Sequence, residues 1–534
     1  MMTLAPDFRG GLPPVLLHDL PARSAACWPE RPALAAGDTS WSHATLNARI
    51  QAWAQHLLSL GLRAGQRVAV MADKQPEAVA AMFAVSRAGG VLVPINPLLK
   101  SAQVQHILRD CGVVVLMVPA TRQANWAPLQ VTCPSLRHLV LLGADADVVT
   151  TSAGAVAAAD PHRALETDLA AIFYTSGSTG LPKGVMLSHR NLIAGAGSVA
   201  TYLENHAGDV LLAALPLSFD AGFSQLTTAF LVGAKVVLLN YLLPMDVVRA
   251  MAQHRITGLT AVPPLYAQLV AVTWPPEATQ HLRYWANTGG RLPATVLAAM
   301  QARAPAAQPY LMFGLTEAFR ATYLPPHEVS RRPDSIGKAI PNAEVLVLRE
   351  DGSPCEDGEP GELVQYGPLV ALGYWERPEA AAERFRPLPK AATAGRPDGA
   401  VPERALFSGD TVRRDAEGFL YFVGRRDEMI KTSGYRVSPT EVEEVAMAHD
   451  GIREAVAVPV PHETLGSVIR LVVHGDEVRM SDSDSVRSAS LLNHFRQAVP
   501  AYMVPTEVVW VASPLPRNPN GKFDRQCWRD DARL

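Results

Sequence analysis

Residues 174–184 of this 534-residue chain read YTSGSTGLPKG, and this stretch determines how the rest of the sequence is interpreted. Small residues let a backbone approach a phosphate group closely, and their N–H groups and hydroxyls then donate hydrogen bonds to its oxygens. A nearby lysine adds a mobile positive charge. We therefore predict a polyphosphate-binding loop, with ATP as the first ligand hypothesis. Its residues are Thr175, Ser176, Gly177, Ser178, Thr179, Gly180 and Lys183.

A flexible Ser/Gly linker is the competing interpretation of this stretch. The flanking sequence argues against it, because residues 169–174 form an apolar block that predicts a buried strand. On the other side, Ser188 is a favoured helix N-cap and precedes apolar residues at helical spacing. The loop is not a Walker A motif, because Lys183 stands between Pro182 and Gly184.

Composition limits the function classes. Hydrophobic residues make up 48% and charged residues 19% of the chain, which is typical of a soluble enzyme with a large core. The net charge of −3 gives no indication of nucleic-acid or acidic-lipid binding. Five cysteines without CxxC spacing predict reduced thiols, a cytoplasmic location and no zinc site. No signal peptide and no segment long enough to span a membrane are visible.

Alternating helical and strand patterns predict an α/β fold with mainly parallel sheets. Helices are predicted at 46–60 and 77–88, and strands at 67–71, 90–94, 113–118, 139–142, 210–215, 236–239 and 258–262. After Arg331 the pattern becomes β-rich, with strands at 344–348, 361–364 and 419–423. Residues 387–403 and 476–490 are predicted to be exposed connections.

Five segments in a fixed order together resemble the adenylate-forming enzymes, which comprise acyl-CoA synthetases, adenylation domains of nonribosomal peptide synthetases, and luciferases. They are residues 175–184 (TSGSTGLPKG), 313–317 (FGLTE), 408–410 (SGD), 424–443 (GRRDEMIKTSGYRVSPTEVE) and 516–525 (PRNPNGKFDR). The resemblance implies two half-reactions, in which a carboxylate attacks ATP to give an acyl adenylate and a thiol then displaces AMP. It further implies Mg²⁺, coenzyme A or a phosphopantetheinyl carrier protein, a small carboxylic acid substrate, and a monomer or homodimer.

The resemblance also implies a domain organisation. A large N-terminal domain (1–423) of parallel-rich sheets with helices includes the β-rich subdomain, and a hinge (424–427) leads to a small mobile α+β domain (428–534). Within the hinge motif Asp427 is the pivot candidate, and Gly434 lies beside the thiol tunnel. Lys431 faces the active site in the second conformation.

Roles in the ATP site follow from the same resemblance. Phe313 stacks on adenine, Thr316 contacts the α-phosphate and Glu317 holds Mg²⁺, while Lys183 and Lys522 are the catalytic lysines. Lys522 is expected to bridge the substrate carboxylate and the α-phosphate. The remaining ATP contacts are Gly289, Gly290 and Arg291 at adenine, and Asp410 and Arg425 at the ribose.

The acyl pocket departs from the usual pattern of fatty acyl-CoA synthetases, because Phe219-Asp220 stands where an aromatic-His pair is often found. Amino-acid-activating relatives carry Phe-Asp there, so Asp220 is either an ammonium receptor or a cap of the following helix. Arg320 either meets an acidic substrate group or pairs with Asp220. The other pocket residues implied by similarity are Ala221, Ser224, Asn287, Met312 and Ala321.

Residues 335–355 and 427–445 most resemble AMP-forming acyl-CoA ligases associated with bacterial exosortase systems. We predict an acid–thiol ligase acting on a small, polar or amino-bearing acid. Alternatives are an amino-acid-activating ligase that loads a carrier protein, a non-catalytic nucleotide-binding sensor, and, more remotely, a luciferase-like oxidation.

Overall fold

The computed structural model describes residues 13–122, 128–143, 149–150, 163–175, 182–393, 404–425, 429–475, 484–516, 525 and 528–529. Three β-sheets of 14, eight and five strands form its framework, and helices cover them, which confirms the predicted α/β class. The helices are Asp19–Cys27, His43–Ser59, Pro76–Arg87, Ser101–Asp110, Leu129–Thr132, His189–Tyr202, Asp220–Val232, Pro244–His254, Pro263–Val270, Ala294–Arg303, Pro378–Arg384, Pro439–Met447 and Asp484–Ala498. Short 3-10 turns lie at Ala120–Arg122, Pro276–Ala278, Thr316–Ala318, Pro326–Glu328, Lys390–Thr393 and Ala501–Met503.

The central sheet has 14 strands and is parallel in one half and antiparallel in the other. Its parallel half consists, in spatial order, of Gln308–Phe313, Tyr284–Asn287, Gly258–Ala261, Val210–Ala213, Lys235–Leu238 and Pro32–Ala36, and Thr39–Ser42 closes that edge in antiparallel pairing. The antiparallel half contains Glu344–Leu348, Pro360–Tyr366, Phe385–Pro387, Arg404–Arg414, Leu420–Arg425, Ser335–Ala339 and Thr322–Leu324. This half is the predicted β-rich region.

The second sheet has eight strands and carries both flanks of the small-residue loop. Its strands in spatial order are Gly373–Tyr374, Lys183–Ser188, Leu169–Thr175, Val91–Pro94, Arg67–Val70, Val115–Pro119, His138–Leu142 and Val149–Thr150. Helices Pro76–Arg87 and Asp220–Val232 pack between this sheet and the central sheet. The stacked rings of Phe83 and Phe223, with centroids 5.7 Å apart, join the two helices.

The C-terminal sheet has five strands and forms the small C-terminal part of the fold. The strands are Tyr435–Val437, Ile430–Thr432, Gly466–Gly475, Ile452–His462 and Glu507–Trp510. Helices Pro439–Met447 and Asp484–Ala498 bury Val442, Leu491 and Phe495 against it. A large N-terminal part and a small C-terminal part are therefore both present, as predicted.

The structure corrects one predicted connection. Residues 484–490 were expected in an exposed connection but begin the helix Asp484–Ala498. Their polar composition hid this, because the apolar anchors Leu491 and Phe495 come only later in the helix. Strand Leu420–Arg425 runs through the first two residues of the predicted hinge. Asp427 and residues 394–403 lie outside the described residues, and the domain boundary stays a prediction.

Among the described residues, no helix combines the length and the apolar character that crossing a membrane requires.

Candidate active site

Two antiparallel strands hold the ends of the predicted phosphate loop together. Thr175 ends one strand and is the register partner of Lys183, which begins the next. Ser188 then caps helix His189–Tyr202, because its hydroxyl accepts a hydrogen bond from the N–H of Asn191 at 3.1 Å. Both predicted flanks are confirmed. The loop residues Ser176, Gly177, Ser178, Thr179 and Gly180 lie outside the part of the chain that the structure describes.

Lys183 and Glu317 both contact Tyr374. The Lys183 ammonium lies over the ring of Tyr374, 5.7 Å from its centroid. The hydroxyl of Tyr374 donates a hydrogen bond to Glu317 Oε1 at 2.9 Å. Burial lowers the pKa of Lys183 and nearby Arg384 adds to this effect, while Glu383 and Glu317 oppose it. The two residues predicted to meet phosphates and metal are therefore close neighbours.

Glu317 is an ionised carboxylate in a buried position. Burial alone raises its pKa, but the charges of Arg436 and Arg384 and the hydrogen bond from Tyr374 outweigh it and hold the pKa below the usual value. Its Oε2 oxygen is buried and has no hydrogen-bond partner within the described residues. Mg²⁺ prefers carboxylate oxygens. An ionised carboxylate with one unpartnered oxygen beside a predicted phosphate loop fits a Mg²⁺ ligand.

Aromatic rings and a lysine surround the predicted adenine position. Phe313 ends strand Gln308–Phe313, and the Phe422 ring lies 6.1 Å from it between centroids. Lys431 lies over both rings, 5.8 Å from the Phe313 centroid and 4.7 Å from that of Phe422. Lys431 therefore lies beside the predicted adenine position, and its role in a second conformation stays a prediction. Phe422 was not predicted as a site residue. It lies in strand Leu420–Arg425 of the antiparallel half of the central sheet, far from Phe313 in the sequence.

The other predicted adenine and ribose residues occupy separate places. Gly289 has φ of +78°, in the left-handed region that favours glycine. The exposed Arg291 is paired with Asp334. Asp410 is fully buried, and the register of the two strands places it opposite Arg425. The predicted pair at the ribose is thus adjacent in the sheet.

Asp220 and Arg320 form an ion pair beside Thr316. Arg320 Nη1 donates to Asp220 Oδ2 at 2.9 Å, and Thr316 Oγ1 donates to Asp220 Oδ1 at 3.2 Å. Asp220 is the first residue of helix Asp220–Val232, whose N-cap is Phe219. Of the alternatives left open by the sequence, this geometry supports pairing of Asp220 with Arg320. It does not support Asp220 as the helix cap.

A cavity lies between the parallel half of the central sheet and helices His189–Tyr202 and Asp220–Val232. The space that protein atoms leave unfilled between its lining residues is about 350 Å³, and this volume includes open solvent. Four predicted pocket residues line it, namely Ala221, Ser224, Met312 and Arg320. Residues that sequence reasoning missed also line it, namely Val199, Leu203, Asn205, Leu211, Gln225, Thr228, Gly258, Thr260 and Tyr284.

Four predicted pocket residues are not among those that line this cavity, namely Asp220, described above, and Phe219, Asn287 and Ala321. Phe219 packs edge-on against Tyr435 of the C-terminal sheet, with centroids 5.1 Å apart. Asn287 is buried and donates to the carbonyl of Gly290 at 2.8 Å. Ala321 is fully buried, and its N–H donates to the carbonyl of Phe313. Asn287 and Ala321 thus hydrogen-bond to the backbone of the site, where Asn287 ends one strand and Ala321 precedes another.

The C-terminal sheet meets this edge of the N-terminal part through residues 434–436. Gly434 has φ of +81°, and a Cβ there would lie 2.9 Å from Val262 Cγ1. Tyr435 contacts Phe219, and the charge of Arg436 reaches Glu317. Gly434 was predicted beside the thiol tunnel, whereas Tyr435 and Arg436, which follow it directly in the sequence, were not predicted as site residues. Lys522 lies outside the described residues.

The chain belongs to the AMP-binding enzyme family. Residues 21–375 match the family model of the AMP-binding enzymes, and residues 441–522 match the model of the AMP-binding enzyme C-terminal domain. The fold and the site thus define an adenylate-forming enzyme.

Individual relatives differ in kind. The chain is 30% identical to a linear gramicidin synthase component of Brevibacillus parabrevis over 98% of its own length, but it spans only 10% of that protein. It is 29% identical to a long-chain-fatty-acid–CoA ligase of Salmonella typhimurium, covering 97% of this chain and 94% of that one. A solved structure of o-succinylbenzoate CoA synthetase from Bacillus subtilis, bound with a product analogue, is similar with a TM-score of 0.80 at 25% identity, covering 96% and 98% of the two chains.

Proposed function

We propose that this chain is an ATP-dependent acid–thiol ligase. It activates a carboxylic acid as an acyl adenylate with release of pyrophosphate, and then forms a thioester with release of AMP. The observation that carries the proposal is the short segment at residues 316–320. Within it, Glu317 turns toward Tyr374 and Lys183, while Thr316 and Arg320 turn toward Asp220 and the cavity. One segment therefore joins a phosphate-and-metal side to an acid-binding side.

In the first half-reaction the chain positions ATP and offsets charge. The loop from Thr175 to Lys183 contacts the β- and γ-phosphates, and the Phe313 ring stacks on adenine. Asp410 accepts hydrogen bonds from the ribose hydroxyls, and Arg425 joins it at the ribose as a hydrogen-bond donor. Glu317 would hold Mg²⁺, which when bound supplies positive charge to phosphate oxygens.

Lys522 is proposed to enter between the substrate carboxylate and the α-phosphate. A cation at this position offsets the repulsion of two anions and stabilises the charge that develops during attack. Thr316 is proposed to contact the α-phosphate as well.

The second half-reaction is proposed to use the contact of residues 434–436 with the N-terminal part. Residues 428–534 act as a mobile unit that turns about Asp427, and Gly434 then lines the path of the thiol. A glycine is needed there because Val262 leaves no room for a side chain. Lys431 over the rings of Phe313 and Phe422 belongs to this state.

The acceptor is coenzyme A or the phosphopantetheine of a carrier protein. Similarity to a CoA ligase over nearly the whole length of both chains favours coenzyme A. We further propose a cytoplasmic monomer or homodimer of the exosortase-associated subtype, on the motif resemblance at residues 335–355 and 427–445. A magnesium-dependent activity and no nucleic-acid partner complete this proposal.

An amino-acid-activating ligase that loads a carrier protein is the second candidate. Its support is the 30% identity to a gramicidin synthase component. Against it stands Asp220, whose carboxylate already has a cationic partner in Arg320.

The test is ATP–pyrophosphate exchange with a panel of fatty, aryl, hydroxy and amino acids, followed by thioester formation with coenzyme A. Lys522→Ala is expected to slow adenylation by about 100-fold or more and to spare thioester formation from supplied acyl adenylate. Lys390→Ala, an exposed lysine elsewhere, is the matched control. An equal loss of rate in adenylation and in thioester formation for Lys522→Ala would contradict the proposal that the C-terminal part turns between the two half-reactions. Absence of AMP formation with every acid overturns the ligase proposal in favour of a nucleotide-binding sensor.

A further inference from the structure

The cavity beside Arg320 extends along the parallel half of the central sheet, from the ends of its strands, where Arg320 lies, toward their starts. Leu211, Gly258 and Tyr284 form one register row near the starts of their strands and mark its inner end. Met312 lies four residues farther along than that row and marks the outer end. Along helix Asp220–Val232 the lining residues run from Ala221 to Thr228, a rise of about 10 Å.

Polar side chains line the cavity along this path. Gln225 is 6% and Thr228 is 2% exposed. Gln225 Nε2 donates to the carbonyl of Leu212 at 2.8 Å, which leaves its Oε1 oxygen as an acceptor. Gln225 Oε1 and Thr228 Oγ1 are buried and have no hydrogen-bond partner within the described part of the chain. A long alkyl chain here would leave both atoms unsatisfied.

A third polar side chain, that of Asn205, lies at the inner end of the cavity. Asn205 uses its amide N–H groups on Asp209 Oδ2 and on the hydroxyl of Tyr284, both at 3.1 Å. Its Oδ1 oxygen is buried and unpartnered among the described residues. Three unfilled polar positions, at Gln225, Thr228 and Asn205, thus follow one another along the path.

The guanidinium of Arg320 lies at the outer end of the cavity, and the conformation of the main chain around Arg320 determines its position. Phe319, just before Arg320, has φ of +60°, a costly conformation for a bulky residue. Its ring fills the space beside Gly195, where a Cβ would lie 2.4 Å from Phe319 Cδ1. Gln365 Nε2 donates to the Arg320 carbonyl at 2.7 Å and fixes the turn.

Arg320 is thereby held at the cavity. Its Nη1 donates to Asp220, while its Nε is buried and unpartnered within the described residues. An α-ammonium group placed at Asp220 would meet this guanidinium as a like charge. A neutral oxygen on the substrate would instead accept from Nε.

We infer that the substrate is a short carboxylic acid that carries hydroxyl or amide N–H donors along its chain and no ammonium group at its α-carbon. The inference rests on the proposed ligase function and names its substrate class. Donor groups of the acid meet Gln225 Oε1, Thr228 Oγ1 and Asn205 Oδ1, and an oxygen near its carboxylate meets Arg320 Nε.

The test compares kcat/KM for ATP-dependent AMP formation by the full chain with hexanoate, its 4-, 5- and 6-hydroxy derivatives, and norleucine. At least one hydroxy acid is expected to exceed both hexanoate and norleucine by about ten-fold or more. Thr228→Val, which keeps the side-chain shape but removes the hydroxyl, and Gln225→Met are each expected to reduce this preference by about five-fold or more. Thr201→Val, on the exposed side of helix His189–Tyr202, is the matched control and should keep the wild-type preference.

The outcomes separate the two proposals. If AMP forms but hexanoate or norleucine is preferred over every hydroxy acid, the proposed substrate class is wrong and the proposed ligase function is retained. A hydroxy-acid preference that survives both Thr228→Val and Gln225→Met also overturns it, because ordered water would then satisfy these atoms. Absence of AMP formation with every acid, including aryl acids, overturns both proposals together.

Discussion

Arg320 Nη1 lies 2.9 Å from Asp220 Oδ2, and their side chains are only 4% and 14% exposed. A buried carboxylate needs a charged or hydrogen-bonding partner, and this one has both, in Arg320 and Thr316. The Asp220 carboxylate is therefore already paired and is not free to bind the ammonium group of a substrate. The same residue that marks amino-acid-activating relatives in the sequence holds the guanidinium of this pocket in place.

Arg320→Leu is expected to convert Asp220 into an ammonium receptor. Removing one partner of a buried ion pair leaves an uncompensated charge and costs about 3–5 kcal/mol of folding free energy. An α-amino acid supplies the missing cation, so norleucine should gain about ten-fold or more in pyrophosphate exchange relative to hexanoate. It should also raise the melting temperature of this variant more than hexanoate does. The double variant Asp220→Asn/Arg320→Leu is the control and should lose both effects. Equal responses to the two acids in Arg320→Leu would show that Asp220 has no such capacity.

Local sequence patterns predicted much of the fold. The strand and cap around the small-residue loop follow from one apolar block and from Ser188, and they were confirmed. Helix Asp484–Ala498 was missed in part, because its first turns are polar and its anchors, Leu491 and Phe495, lie farther on.

The site was predictable where contacts are local in sequence and not where distant elements meet. Gln225 and Thr228 lie four and seven residues after Ala221, so helical spacing could have found them once Ala221 was placed. Asn205 and Tyr284 come from separate elements, and no spacing rule joins them to Arg320. The approach of Arg436 to Glu317 depends on how the C-terminal sheet packs on the N-terminal part.

Gly434→Leu is expected to block thioester formation and to spare adenylation. A Cβ at this position would lie 2.9–3.1 Å from three atoms of Val262, so a longer side chain excludes the present arrangement. The rate of thioester formation from supplied acyl adenylate should fall by about 100-fold, while pyrophosphate exchange falls by less than about three-fold. Gly466→Leu is the control, since Gly466 has a similar φ of +79° but a Cβ there would lie 3.4 Å from the Lys431 carbonyl and not near Val262. Matching losses in the two variants would assign the effect to backbone strain.

Glu317→Gln is expected to weaken the response to Mg²⁺. The amide keeps an oxygen that can accept from Tyr374 but lacks the negative charge that attracts a divalent cation. The Mg²⁺ concentration for half-maximal AMP formation should rise by about ten-fold or more, and chelation by EDTA should abolish activity in both proteins. Glu379→Gln, an exposed residue at the start of helix Pro378–Arg384, should match the wild type. An unchanged Mg²⁺ dependence in Glu317→Gln would show that Mg²⁺ is bound by residues other than Glu317.

Glu441→Gln is expected to change how thioester formation depends on pH. Gln103 Nε2 donates to Glu441 Oε1 at 3.2 Å and so joins helix Ser101–Asp110 to helix Pro439–Met447 of the C-terminal part. Burial raises the pKa of Glu441 to about 7, Gln103 opposes this, and the charge of Glu444 adds to it, with Tyr502 also near. Because burial holds the pKa of Glu441 above the ordinary 4.5, the packing of the two helices around this carboxyl is most stable below pH 4.5 and weakens as the pH rises through about 7. A neutral glutamine removes this weakening, so the rate ratio of Glu441→Gln to wild type should rise between about pH 6 and about pH 8. The ratio isolates the contact from ionisation of the thiol, which affects both proteins equally. The exposed Glu463→Gln is the control, and a ratio that stays flat for Glu441→Gln would show that this carboxyl does not govern the contact.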